Sequence, residues 1–111
     1  MSIEVAARLA TERQVVRHLL KTAREAGFTP AFVWYDAAER VPARTDEEVL
    51  EAVFAVDESR ILFDHPEERA RHCVVIVLGN SGWDAIADHS EGPRWTPVMD
   101  ACLDYAETLE A

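Results

Sequence analysis

Asp84, Asp88 and His89 are the residues whose types could most readily do chemistry. Two carboxylates and an imidazole can hold a metal ion or exchange protons with a substrate. Their spacing decides whether they act together. The segment from Trp83 to His89 reads as a strand that follows a tight turn. In a strand Asp84 and Asp88 share a face about 13 Å apart, at about 3.3 Å per residue. Carboxylates that flank a glycosidic bond stand roughly 5–9.5 Å apart, and ligands of one metal stand closer still. His89 would turn to the face opposite Asp88. Only a helix would bring the carboxylates to roughly 5–6 Å. A small metal-dependent hydrolase on Asp84, Asp88 and His89 is therefore an alternative reading, and solvent-facing side chains are the expected one.

The other catalytic patterns are poor. His18, His65, His72 and His89 form no pair at i, i+4 or short-loop metal spacing, and no Cys-x-x-Cys occurs. Ser81 lies in Gly-Asn-Ser-Gly, which turn chemistry explains, and not in a Gly-x-Ser-x-Gly elbow. Its glycines precede a strand, so they make no phosphate loop. No catalytic residue, metal ligand or cofactor is assigned, and the sequence leans away from an enzyme.

Surface recognition is better supported. Tryptophan is enriched at binding hot spots, although it is also a core residue. Trp83 follows the turn and Trp95 precedes a helix, so both are expected at the end of the sheet, as lids on the core or as an aromatic patch flanked by Asp84, Asp88 and Arg94. The last helix carries Asp100, Asp104 and Glu107 on one stripe, with Glu110 beyond. Like charges at i, i+4 cost roughly 0.2–0.5 kcal/mol per pair, and acids near a helix C-terminus oppose its dipole. The basic face of the first helix, a second copy or a basic partner could offset this. The expected binding surface is Trp83, Asp84, Asp88, Trp95, Asp100, Asp104 and Glu107.

These residues need a scaffold. Residues 3–26 read as an amphipathic helix on Leu9, Val16, Leu20 and Ala23, joined by Leu19 and Ala26 and stopped by Gly27. Residues 28–37 are aromatic and β-branched, as a strand should be, with Pro30 at its beginning or edge. A loop spans residues 38–45. Thr45 and Glu48 then spell a capping box for a helix that ends near Ala55. Three strands follow: Ile61–Phe63, His72–Leu78 and Trp83–His89. The second is so apolar that both its faces should be covered, one by a partner chain or by long side chains. Thr96 and Pro97 open the last helix, roughly residues 97–110. The order α-β-α-β-β-β-α implies a two-layer α+β sandwich: a mostly antiparallel four-stranded sheet with helices on one face.

The chain of 111 residues fits one domain, 1–111. Its 49% hydrophobic content is too high for disorder. With 11 basic and 21 acidic residues its formal charge is −10. Residues 1–30 contribute 5 − 3 = +2 and residues 31–111 contribute 6 − 18 = −12. Direct nucleic-acid binding needs a basic face and is not expected; an anionic membrane surface is disfavoured alike. No apolar run approaches the roughly 20 residues of a membrane span, and Met1-Ser2-Ile3-Glu4 lacks the layout of a secretory signal. A cytoplasmic setting with Cys73 and Cys102 as buried, unpaired thiols is expected.

Residues 52–58 (Ala-Val-Phe-Ala-Val-Asp-Glu) and 78–88 (Leu-Gly-Asn-Ser-Gly-Trp-Asp-Ala-Ile-Ala-Asp) together resemble small acidic proteins encoded near bacterial plasmid, phage or integrated-element genes. The resemblance implies an accessory protein of a mobile element that acts by binding other proteins. The leading expectation is a small, non-catalytic, acidic protein-interaction domain that binds a basic protein surface or itself, as a homodimer. An anti-defence inhibitor imitating nucleic acid is a further alternative. The stripe on the last helix is sparse for that role, at roughly one charge per 5 Å against one per about 1.7 Å in duplex DNA.

Overall fold

The computed structural model describes residues 2–35 and 39–110. Asp36, Ala37 and Ala38, the expected strand end and loop start, lie outside the described residues. The elements run α1 (Ile3–Glu25), β1 (Thr29–Trp34), β2 (Arg40–Pro42), α2 (Asp46–Val53), β3 (Glu58–Asp64), β4 (His72–Val77), β5 (Ile86–His89) and α3 (Thr96–Glu107). The class is α+β: among the described residues, three helices and one open antiparallel sheet.

Local chemistry sets most boundaries. Ser2 caps α1 by accepting the Val5 N–H at 3.1 Å. Gly27 ends it at φ +90, and the Phe28 N–H reaches back to the Ala23 carbonyl at 2.9 Å, which satisfies an orphan helix carbonyl. The Thr45/Glu48 capping box opens α2 in both of its bonds. Thr96, expected as the cap of α3, instead sits inside the helix, and Trp95 takes the cap position with no side-chain bond. The Thr96 hydroxyl accepts the Gly92 N–H at 3.1 Å and ties the preceding loop to the helix start.

The sheet has five strands in the order β2-β1-β3-β4-β5, not four. The extra strand, β2, lies in the expected loop and pairs antiparallel with β1 through Phe32↔Pro42, Val33↔Val41 and Trp34↔Arg40. The meander β3-β4-β5 is as expected, but β3 is longer, starting at Glu58, and β5 starts only at Ile86. Trp83 and Asp84 are in the turn.

One core holds all three helices to one face of the sheet. Val16, Leu19 and Leu20 of α1, Val49 and Val53 of α2 and Met99 and Cys102 of α3 pack with Val33, Ile61, Val74 and Ile76 of the strands. Burying each such side chain stabilises the fold by about 1.5–3 kcal/mol. No described helix is long and apolar enough to cross a membrane. The face of β4 away from the helices is only half buried, at Cys73, Val75 and Val77.

Candidate functional site

The structure separates Asp84, Asp88 and His89. The Asp84 carboxylate accepts the Ser81 N–H at 3.1 Å and closes the β4–β5 turn. Asp88 accepts the His89 N–H at 2.8 Å. The His89 Nδ1 lies 2.7 Å from the Ser90 carbonyl oxygen. Asp88 is paired with Val75 and His89 with Val74, so the two side chains leave β5 on opposite faces. Among the described residues no three His, Cys, Asp or Glu side chains gather as a metal group. The constellation that a metal-dependent hydrolase would need does not form.

The two tryptophans do not share a surface. Trp95 is wholly buried, so it belongs to the core and cannot meet a partner. It stands edge-on to Phe28 at 4.8 Å and lies against Phe63 at 5.0 Å and His72 at 5.2 Å. His72 begins β4, whereas Trp83 lies beyond its end. The two are therefore at opposite ends of a six-residue strand, about 17 Å apart at about 3.3 Å per step.

Trp83 is half-buried and lines a cleft of about 510 Å³ with Glu4, Arg8 and Thr11 of α1 and Leu109 and Glu110 beyond α3. Two features hold this corner together. Gly82 has φ +98, and a Cβ there would stand 3.1 Å from the Arg8 carbonyl oxygen. Beneath it, Glu12 is buried and accepts the Gly79 N–H at 2.8 Å, with the Arg8 guanidinium 3.6 Å away. A buried carboxylate needs such partners. The Glu12 contact was not legible in the sequence, because its position reads as an ordinary helical acid.

Asp100, Asp104 and Glu107 are exposed on α3, and Glu110 follows at the cleft. None of the ion pairs among the described residues includes them. The basic face of α1 lies elsewhere: Arg17 is 4.0 Å from Glu47, Arg24 is 2.8 Å from Asp46, and Arg13 covers Phe54. Those arginines meet α2, at its start through Glu47 and Asp46 and at its C-cap through Phe54, not α3. The last turn of α3 carries no basic residue, so its carbonyl end and its acids add.

A second polar group was also missed. His72 is buried with its Nδ1 3.1 Å from the Ser90 hydroxyl and its Nε2 2.7 Å from Glu68. The residue types match a serine–histidine–carboxylate relay. The surroundings do not suit a nucleophile. Ser90 Oγ already accepts the Cys73 N–H at 2.9 Å. Trp95 stacks on one ring face, and a Cβ on Gly92 would stand 2.8 Å from His72 Cε1. The group instead satisfies a buried imidazole and pins the 65–70 turn and the β5 end to β4.

No family model, no curated protein and no solved structure matches this chain.

Proposed function

We propose that the chain is a small, non-catalytic protein-interaction domain that binds a basic partner through the acidic face of α3 and the adjoining Trp83 cleft. The observation that carries this reading is the unpaired, exposed series Asp100, Asp104 and Glu107, followed about one turn later by Glu110, which lines a cleft with Trp83. Acids at the C-terminal end of a helix cost stability, and a basic partner would turn that cost into attraction. An arginine or lysine of the partner has an indole face, Glu4 and Glu110 to meet in one place. The proposal extends to an accessory role in a bacterial mobile element, as the resemblance of residues 52–58 and 78–88 implies.

The surface differs from the expected one. It keeps Trp83, Asp100, Asp104 and Glu107 and leaves out three: the buried Trp95, Asp84, whose carboxylate closes the β4–β5 turn, and Asp88, which stands on β5 at the sheet edge. Capture from the native host with the wild-type chain and with Asp100→Asn/Asp104→Asn/Glu107→Gln tests it. The expected result is a stoichiometric basic partner that the triple variant loses and that salt releases. A partner retained unchanged by the triple variant would overturn the assignment.

A further inference from the structure

Only one face of the sheet is covered by helices. On the other, Arg40, Trp34, Arg60, Val75 and Asp88 are successive register partners and form one row across all five strands. Phe32, Leu62 and Cys73 form the neighbouring row. Arginines cover this face only in part. The Arg40 guanidinium lies 4.8 Å from the Phe32 ring and 5.8 Å from that of Trp34, and Arg71 lies 5.2 Å from Phe32. Phe32, Trp34, Cys73 and Val75 all keep part of their surface exposed.

The charge of this face differs from that of the molecule. Arg40, Arg60 and Arg71 balance Glu58, Asp64 and Asp88, so the face sums to 3 − 3 = 0 in a chain of −10. Two copies that met through the α3 face would bring acid against acid. This face carries no net charge to oppose their meeting. The balance is also polarised, with Arg40 on the β2 edge and Asp88 on the β5 edge. Half a turn about an axis parallel to β3 lays one edge on the other. Arg40 then faces Asp88 of the second copy, Trp34 faces Val75, and Phe32 faces Cys73. Residues of β3 lie on the axis and meet their own copies, so Leu62 faces Leu62, and Arg60 offsets its like neighbour by reaching diagonally to Glu58 of the second copy. Strands from the two sheets then run nearly aligned, as in two-sheet packing. Five strands at about 4.8 Å spacing and about 3.4 Å per residue give a flat area on the order of 450 Å². That is a little over half of the roughly 800 Å² per partner of a standard interface, the size of a weak, concentration-dependent dimer.

We propose that the open sheet face binds a second copy of this chain in a two-fold dimer, with Arg40 paired to Asp88 across both ends of the interface. This surface is separate from α3, so either assignment can fail alone. Aromatic and arginine side chains on a sheet could also stack single-stranded nucleic acid, but a face of zero net charge on an acidic chain is poorly suited to phosphates.

Sedimentation equilibrium of the whole chain from micromolar to millimolar concentration tests the proposal, with circular dichroism to confirm folding. The wild type should dimerise. Val75→Glu should abolish the dimer. Arg40→Glu and Asp88→Arg should each weaken it at least about tenfold, and the Arg40→Glu/Asp88→Arg double variant should restore it. Alkylation of Cys73 should slow as protein concentration rises. A monomer throughout, a dimer indifferent to Val75→Glu, or no rescue by the double charge reversal would overturn the proposal. So would a monomer that binds a labelled oligothymidylate and loses it on Val75→Glu. The Asp100→Asn/Asp104→Asn/Glu107→Gln chain should still dimerise.

Discussion

The His72 imidazole lies nearly parallel to the Trp95 indole, 5.2 Å between centroids and 11° between planes. The helix that carries the acidic face is thereby anchored to the start of β4. Trp95→Ala should cost about 3–5 kcal/mol, the usual range for a buried aromatic. Gly92→Ala should cost about 1–3 kcal/mol by overpacking the ring. Urea denaturation followed by circular dichroism measures both.

The capping box makes a second prediction. Bonds from the backbone of Thr45 and Arg44, then from the Thr45 hydroxyl, hold the Glu48 carboxyl below its usual range. A depressed carboxyl stabilises the fold above the unfolded pKa of about 4.3, and this is lost as pH falls through the lower folded value. Thr45→Ala should cost about 1 kcal/mol at neutral pH. It should also move the Glu48 titration upward in carbonyl-detected NMR.

His18 gives an opposite case, a base held neutral. Its ring stacks on Tyr105 at 3.8 Å. Burial, then Lys21, lower its pKa, and Glu25 acts the other way. The unfolded chain therefore takes up the proton first as pH falls below about 6.5. Stability should rise with pH through the window just under that value and fall on acidification. His18→Phe preserves the stack and should flatten this slope in thermal melts recorded between pH 5 and 7.

Glu107→Lys separates stability from recognition. A cation at the end of α3 suits the helix dipole and should raise stability by about 0.3–1 kcal/mol. The same change should weaken capture of the basic partner. A variant that is both more stable and fully active would show that the acid at Glu107 has no binding role.

Signals carried by short stretches were legible in the sequence. Gly27 ends α1, Thr45 with Glu48 starts α2, and the run from His72 to Val77 is a strand because each feature decides its own neighbourhood. Elements that depend on a partner strand were not. Arg40-Val41-Pro42 is a strand only because β1 lies beside it. Glu58-Ser59-Arg60 is polar and is drawn into β3 by Val75 and Val77 of β4. Trp83 and Asp84 left the expected strand because Asp84 bonds to Ser81 and Gly82 takes positive φ. Glu68 and His72 stand at i, i+4, a visible spacing, but Ser90 joins them only through the β4–β5 pairing. Nothing local separates a buried Trp95 from a half-exposed Trp83.

Glu4 and Glu110 border the same cleft. The two ends of the described chain therefore emerge side by side, next to the Trp83 indole. Tags, linkers or reporter domains fused at either end would crowd the surface assigned to the partner, and joining the ends by a short bridge would place that bridge over it. An attachment point in the exposed 65–70 turn, at the far end of β4, would leave the cleft open.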